Sequence, residues 1–146
     1  MSTDDGLKKY TAPSYYSRMS PQPWDVMLMF KLNAVQAFAL KYLARVGEKE
    51  GTPAIIDYAK AIECLEKLIA VNPPPEDEED PPWRLEALPE DDMLGLPAAL
   101  VGWILPVPIL IILRWLFDAW IKKSTIHHRA AIKEIRILME AENAVG

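Results

Sequence analysis

The chain predicts an all-α protein: a small helical-hairpin domain, a long hydrophobic helix that is either whole or proline-broken, and an amphipathic C-terminal helix. Three observations carry that prediction. Between Asn33 and Ile69 apolar residues recur at three- and four-residue steps, the spacing of one helix face. From Met93 to Leu113 no side chain is charged, a run long enough to cross a bilayer as a helix. From Ile121 to Met139 a stripe again returns at alternating four- and three-residue steps.

Composition divides the chain into residues 1–14, a polar N-terminus; 15–72, the helical domain; 73–92, an acidic proline-rich linker; 93–121, the hydrophobic segment; and 122–146, the amphipathic tail. The formal charge of -5 is unevenly spread, because residues 73–92 hold nine Asp/Glu against a single Arg. Prolines stiffen that segment and like charges extend it, so it is a linker with no core of its own. It lacks the spacing and glycine turn of an EF-hand. Overall acidity, with no large basic face, argues against nucleic acid as a partner. The single cysteine, Cys64, excludes an intramolecular disulfide and reads as a small buried hydrophobe. Met1 to Lys9 has no apolar signal-peptide core, which predicts a cytoplasmic first domain.

Within the first domain, Ser20-Pro21-Gln22-Pro23-Trp24-Asp25 punctuates the chain ahead of a short apolar helix ending near Phe30. Pro23 suits the first turn, where its missing N–H is no loss. Asn33 is the expected N-cap of the next helix, whose stripe is Val35, Phe38, Ala39, Tyr42, Leu43 and Val46. Glu48 to Gly51 forms a turn, and Thr52-Pro53 restarts the chain with Thr52 as N-cap and Pro53 in the first turn. Ile55, Ile56, Ala59, Ile62, Leu65, Leu68 and Ile69 mark the buried stripe of the third helix. The two longer helices make an αα-hairpin. Its core of about sixty residues is small, so association into a homo-oligomer is expected.

The end of the second helix is the most informative stretch. Lys41 and Arg45 are four apart and share a face, Gly47 suits a C-cap, and Lys49 follows just beyond. Three cations at a helix end either hold phosphate or another anion, or simply complement the helix dipole in solvent.

The order Tyr15-Tyr16, Gln22-Pro23-Trp24-Asp25-Val26, Lys41-Tyr42-x-x-Arg45-x-Gly47-x-Lys49 and Asp57-x-x-Lys60 resembles the SaV-like small domain of tailed phages, over about residues 15–70. That family includes a phage kinase of deoxynucleoside monophosphates that has no P-loop. Tyr15 stands in place of the family's histidine, and Phe38, just ahead of the core, and Cys64 also depart from its pattern. The resemblance implies a phage protein whose first domain binds nucleotide and phosphorylates deoxynucleoside monophosphates with ATP and Mg²⁺. Lys41, Arg45 and Lys49 would neutralise phosphate oxygens, joined by Lys60. Asp25 or Asp57 would orient a nucleophile or hold the metal, and Trp24 or Tyr42 would stack the base. Each has a plainer role: Asp57 and Lys60 suit a surface pair, and Trp24 suits a core position beside a helix start. Neither a P-loop nor a Gly-x-Gly-x-x-Gly turn is present.

The hydrophobic segment carries Trp103, Trp115 and Trp120 and a basic flank at Lys122-Lys123, features of a transmembrane helix. Pro106-Val107-Pro108 should kink or break it, giving either one kinked span or a re-entrant hairpin. Its basic flank should face the cytoplasm, where the first domain also belongs, so the hairpin reconciles both ends. A helix buried in an oligomer is the remaining reading. In the tail, Ile121, Thr125, His128, Ile132, Ile135 and Met139 suit a short coiled coil, and His127-His128 suit an interface with anionic lipid headgroups. The chain as a whole thus reads as a nucleotide-binding domain tethered to membrane lipid in the host cell. The alternative is a non-enzymatic, membrane-associated or oligomeric module acting on a host or phage protein.

Overall fold

A computed structural model of the protein describes residues 22–46, 48, 51–78, 103 and 105–145. Among them the chain is all-helical: α1 (Pro23–Met29), α2 (Ala34–Ala44), α3 (Ala54–Val71), α4 (Val107–Ile121) and α5 (His128–Val145), with no strand. Tyr15, Tyr16, Gly47, Lys49, most of the acidic linker, and residues 93–102 and 104 of the hydrophobic segment lie outside the described residues.

Local chemistry sets the first helices as expected. Pro23 begins α1, and the Asp25 carboxylate reaches back to the Gln22 backbone N–H at 3.2 Å, closing a capping box. Asn33 caps α2: its side chain accepts from Gln36 N–H at 2.8 Å, and the Gln36 side chain accepts from Asn33 N–H at 3.0 Å. Asn33→Ala should therefore cost about 1 kcal/mol of unfolding free energy, read from the urea midpoint at unchanged slope. At the start of α3 the expectation shifts by a residue. Pro53, with ψ 148, is itself the N-cap and Thr52 makes no capping bond. Gly51 just before it has φ +81, a conformation glycine alone adopts freely.

The buried face of α3 is rotated from the predicted stripe. Ile62, Leu65 and Leu68 are buried as expected, but Ile56 and Ala59 face solvent while Asp57, Tyr58 and Ala61 go inside. On α2 the inner face is Ala39, Leu40, Leu43, Ala44 and then Arg45, with Phe38 left exposed. A charged pair, Arg45 with Asp57, occupies the place where an apolar stripe was expected, and the helix faces turn to admit it.

The expected transmembrane helix is corrected. Among the described residues no helix is long and apolar enough to cross a membrane. Pro106 is the N-cap of α4 and Pro108 sits in its first turn, so the proline pair starts a helix instead of kinking one. The resulting 15 residues reach about 22 Å, short of a bilayer's hydrocarbon core of about 30 Å. Every residue from Ile109 to Phe117 is buried, Arg114 included. A helix apolar on all sides belongs inside a core, and here α2 and α5 supply cover from within the chain.

The amphipathic tail is shorter than expected at its start. Residues 122–127 turn before α5 begins at His128. Its stripe of His128, Ala131, Ile132 and Ile135 packs on α3 and α4. One hydrophobic core therefore joins the hairpin to the C-terminal helices. Phe30 meets Phe117 edge-on at 5.2 Å between ring centroids, and Phe117 meets Trp120 at 5.3 Å, linking α1 to α4. The segment after α3 is clipped to the α4–α5 turn: Thr125 Oγ1 donates to the Asn72 carbonyl, and His127 N–H donates to Glu78.

α1 and α4 end alike. Leu32 N–H bonds back to Met27 carbonyl at 3.0 Å and Ser124 N–H to Ala119 carbonyl at 2.9 Å, the six-to-one bond of a Schellman motif. Both motifs put lysine where glycine is usual: Lys31 has φ 52 and Lys123 has φ 54. A left-handed conformation costs such a residue about 1 kcal/mol.

Candidate functional site

The hairpin brings together five of the residues singled out from the sequence. Lys41, Tyr42 and Arg45 come from the last turn of α2 and its C-cap. Asp57 and Lys60 come from the first turns of α3. Tyr42 is their meeting point. Arg45 Cζ lies 5.0 Å from its ring centroid, Lys60 Nζ 5.4 Å and Lys41 Nζ 5.5 Å. Lys41 also lies 5.7 Å from the Phe38 ring. The negative face of an aromatic ring attracts cations, by about 0.5–1 kcal/mol at exposed sites. That attraction offsets part of the repulsion among three positive side chains held close together.

Depth separates the members. Asp57 is fully buried and Arg45 is 6 % exposed, with Arg45 Nε 3.4 Å from Asp57 Oδ1. The carboxylate in the first turn of α3 also sits at the positive end of that helix's dipole. Above this pair, Lys41 is half-buried and Lys60 exposed. The sequence suggested a surface pair between Asp57 and Lys60; Asp57 instead faces inward to Arg45, and Lys60 turns to Tyr42. Such a cluster presents ammonium groups over a rigid, charge-balanced base. Ammonium groups so placed can neutralise an anion, with Arg45 and Tyr42 fixing the geometry beneath them.

Two predicted members stand apart. Trp24 and Asp25 are exposed on α1, and the Asp25 carboxylate serves the capping box. Tyr42 is already flanked by cations, so its ring is a seat for them more than a platform for a base. The role of Phe38, as a second ring beneath Lys41, was not read from the sequence. Its helical spacing marked it for the core, yet its three-residue step to Lys41 was the available signal.

The histidine pair is corrected from a lipid-facing position to an internal one. His128 is fully buried; its Nε2 accepts from Trp120 Nε1–H at 3.1 Å, and its Nδ1 lies 3.1 Å from the Ile126 carbonyl. That environment holds it neutral, with Nδ1 carrying the proton. Burial lowers its pKa from the ordinary 6.5 to about 4; the Ile126 hydrogen bond opposes the drop and His127 adds to it. His127, with φ 68, lies between two carboxylates, Asp118 at 3.3 Å and Glu78 at 3.7 Å. Among the described residues no three His, Cys, Asp or Glu side chains are grouped to hold a metal ion.

No family model, curated protein or solved structure matches the chain.

Proposed function

We propose that the chain binds a phosphate-bearing ligand of the nucleotide class at the Tyr42 cluster, as a binding module and not as a phosphoryl-transfer enzyme. One observation carries the reading: Lys41, Arg45 and Lys60, from two helices, converge within 5.5 Å of one ring centroid. The order of these residues in the Lys-Tyr-x-x-Arg core supports a nucleotide over other anions. The donor set suits Mg²⁺ poorly. That ion is held by one or two carboxylates beside the phosphates, whereas Asp57 is buried against Arg45 and Asp25 caps α1. The membrane association predicted from the apolar segment becomes, in this reading, attachment to a bilayer surface without a spanning helix.

The test is calorimetric titration of the full chain with ATP and with each deoxynucleoside monophosphate at low salt, beside Lys41→Ala/Lys60→Ala. Two lost charge-assisted contacts should weaken binding roughly 30-fold or more, at unchanged thermal stability. Equal affinity in the double variant, or no binding by the wild type, removes the assignment. Diphosphate formed from ATP, Mg²⁺ and a monophosphate, and lost in the double variant, would restore catalysis and overturn the non-catalytic half.

A further inference from the structure

At the opposite end of the α2–α3 hairpin from Tyr42, the C-terminal ends of α1, α3 and α4 meet around an open groove of about 570 Å³. Three large apolar side chains on its wall remain mostly in solvent: Met29 is 61 % exposed, Val71 77 % and Ile121 62 %. They come from three different helices, so the patch is a product of the fold and not of one amphipathic stripe. A contiguous exposed apolar patch of this kind marks an interaction surface.

The groove's charge narrows the partner. Lys31 and Lys123 both line it, both are exposed, and no acidic residue lines it among those described. Neither lysine forms an ion pair with a described residue. These are the same two lysines that hold left-handed backbone at the helix ends, where glycine would sit without strain. The helix dipole favours a cation at each of these ends, yet glycine would fit each turn with less backbone strain. Strained residues that persist at a surface point to a use for the side chain.

We propose that this end of the bundle docks on the surface of an anionic bilayer. Met29, Val71 and Ile121 enter the interfacial layer while Lys31 and Lys123 meet lipid phosphates. The pairing of apolar insertion with flanking ammonium groups is the pattern of a peripheral membrane contact. Among the described residues no helix is long and apolar enough to span the bilayer. The inference rests on the surface-attachment half of the reading above and places it at named residues. It leaves the Tyr42 cluster, at the other end of the hairpin, facing the aqueous side.

Co-sedimentation of the full chain with phosphatidylcholine vesicles, with and without about 30 % phosphatidylserine, tests it. The wild type should pellet with the anionic vesicles and stay in solution with the neutral ones. Lys31→Gly/Lys123→Gly suits the backbone of both turns, so the fold is kept, and its vesicle affinity should fall roughly 30-fold. Met29→Ser/Ile121→Ser should weaken pelleting while leaving the helical circular dichroism unchanged. A wild type that never pellets overturns surface attachment altogether. A wild type that pellets equally with its lysine and serine variants overturns the groove but leaves attachment standing elsewhere. Equal binding to neutral vesicles overturns the role of the lysines.

Discussion

Asp57→Ala should lower the unfolding free energy by about 3–5 kcal/mol, measured by urea denaturation at neutral pH. The Asp57 carboxylate is fully buried, and Arg45 Nε lies 3.4 Å from it at 6 % exposure. Removing the carboxylate takes an ion-pair partner from a guanidinium already withdrawn from water. The reciprocal change, Arg45→Met, strands a carboxylate at the same depth and should cost a similar amount. The pair itself is a different matter. Charges taken out of water lose hydration that their mutual attraction only partly returns, so Arg45→Met/Asp57→Ala should lose much less than the two single losses added together. A coupling free energy of about 2 kcal/mol or more between the sites is the expected result. Single variants that cost under about 1 kcal/mol would show the pair to be incidental, and the rotation of the α2 and α3 faces would need another cause.

That pair also explains which parts of the fold could be read beforehand. Signals confined to a few residues were legible: Pro23 at the start of α1, Asn33 at the start of α2, and the glycine turn between the hairpin helices. The inner face of α3 was not, because Asp57 is buried only in the presence of Arg45 on another helix, and a periodic apolar pattern places Ile56 there by default. Pro106-Val107-Pro108 carries two meanings, break or beginning, and hydropathy alone favoured the break. Lys41 and Arg45 were legible as neighbours on one face, whereas their shared seat on Tyr42 with Lys60 depends on the hairpin's closure. Lys31 and Lys123 gave no warning, since a lysine in left-handed backbone runs against the preference that makes glycine the usual sign of a helix end.

The buried histidine should make the protein acid-sensitive well above the carboxylate range. His128 has a folded-state pKa of about 4 against 6.5 for an ordinary imidazole, with burial as the main cause. Because the folded value is the lower one, the unfolded chain binds the proton first as pH falls. The stabilisation is complete above about pH 6.5, declines below it, and is exhausted near pH 4, a loss of about 3 kcal/mol over the window. The geometry gives the reason. Protonation would place a second N–H at Nε2, facing the Trp120 indole N–H that now donates to it at 3.1 Å. His127, Asp118, Glu78 and Lys122 are ion-paired around the same turn, so the contribution of His128 is best isolated by difference. His128→Phe keeps an aromatic ring in the cavity and cannot titrate. At pH 7 it should be the less stable protein, having lost the acceptor for Trp120. Urea midpoints taken from pH 7 to pH 4 should then converge, with the wild type falling toward its variant by about 3 kcal/mol. A gap that stays constant across that range would mean that His128 takes up its proton without leaving the core, and that the Trp120–His128 contact between α4 and α5 is not what acid breaks.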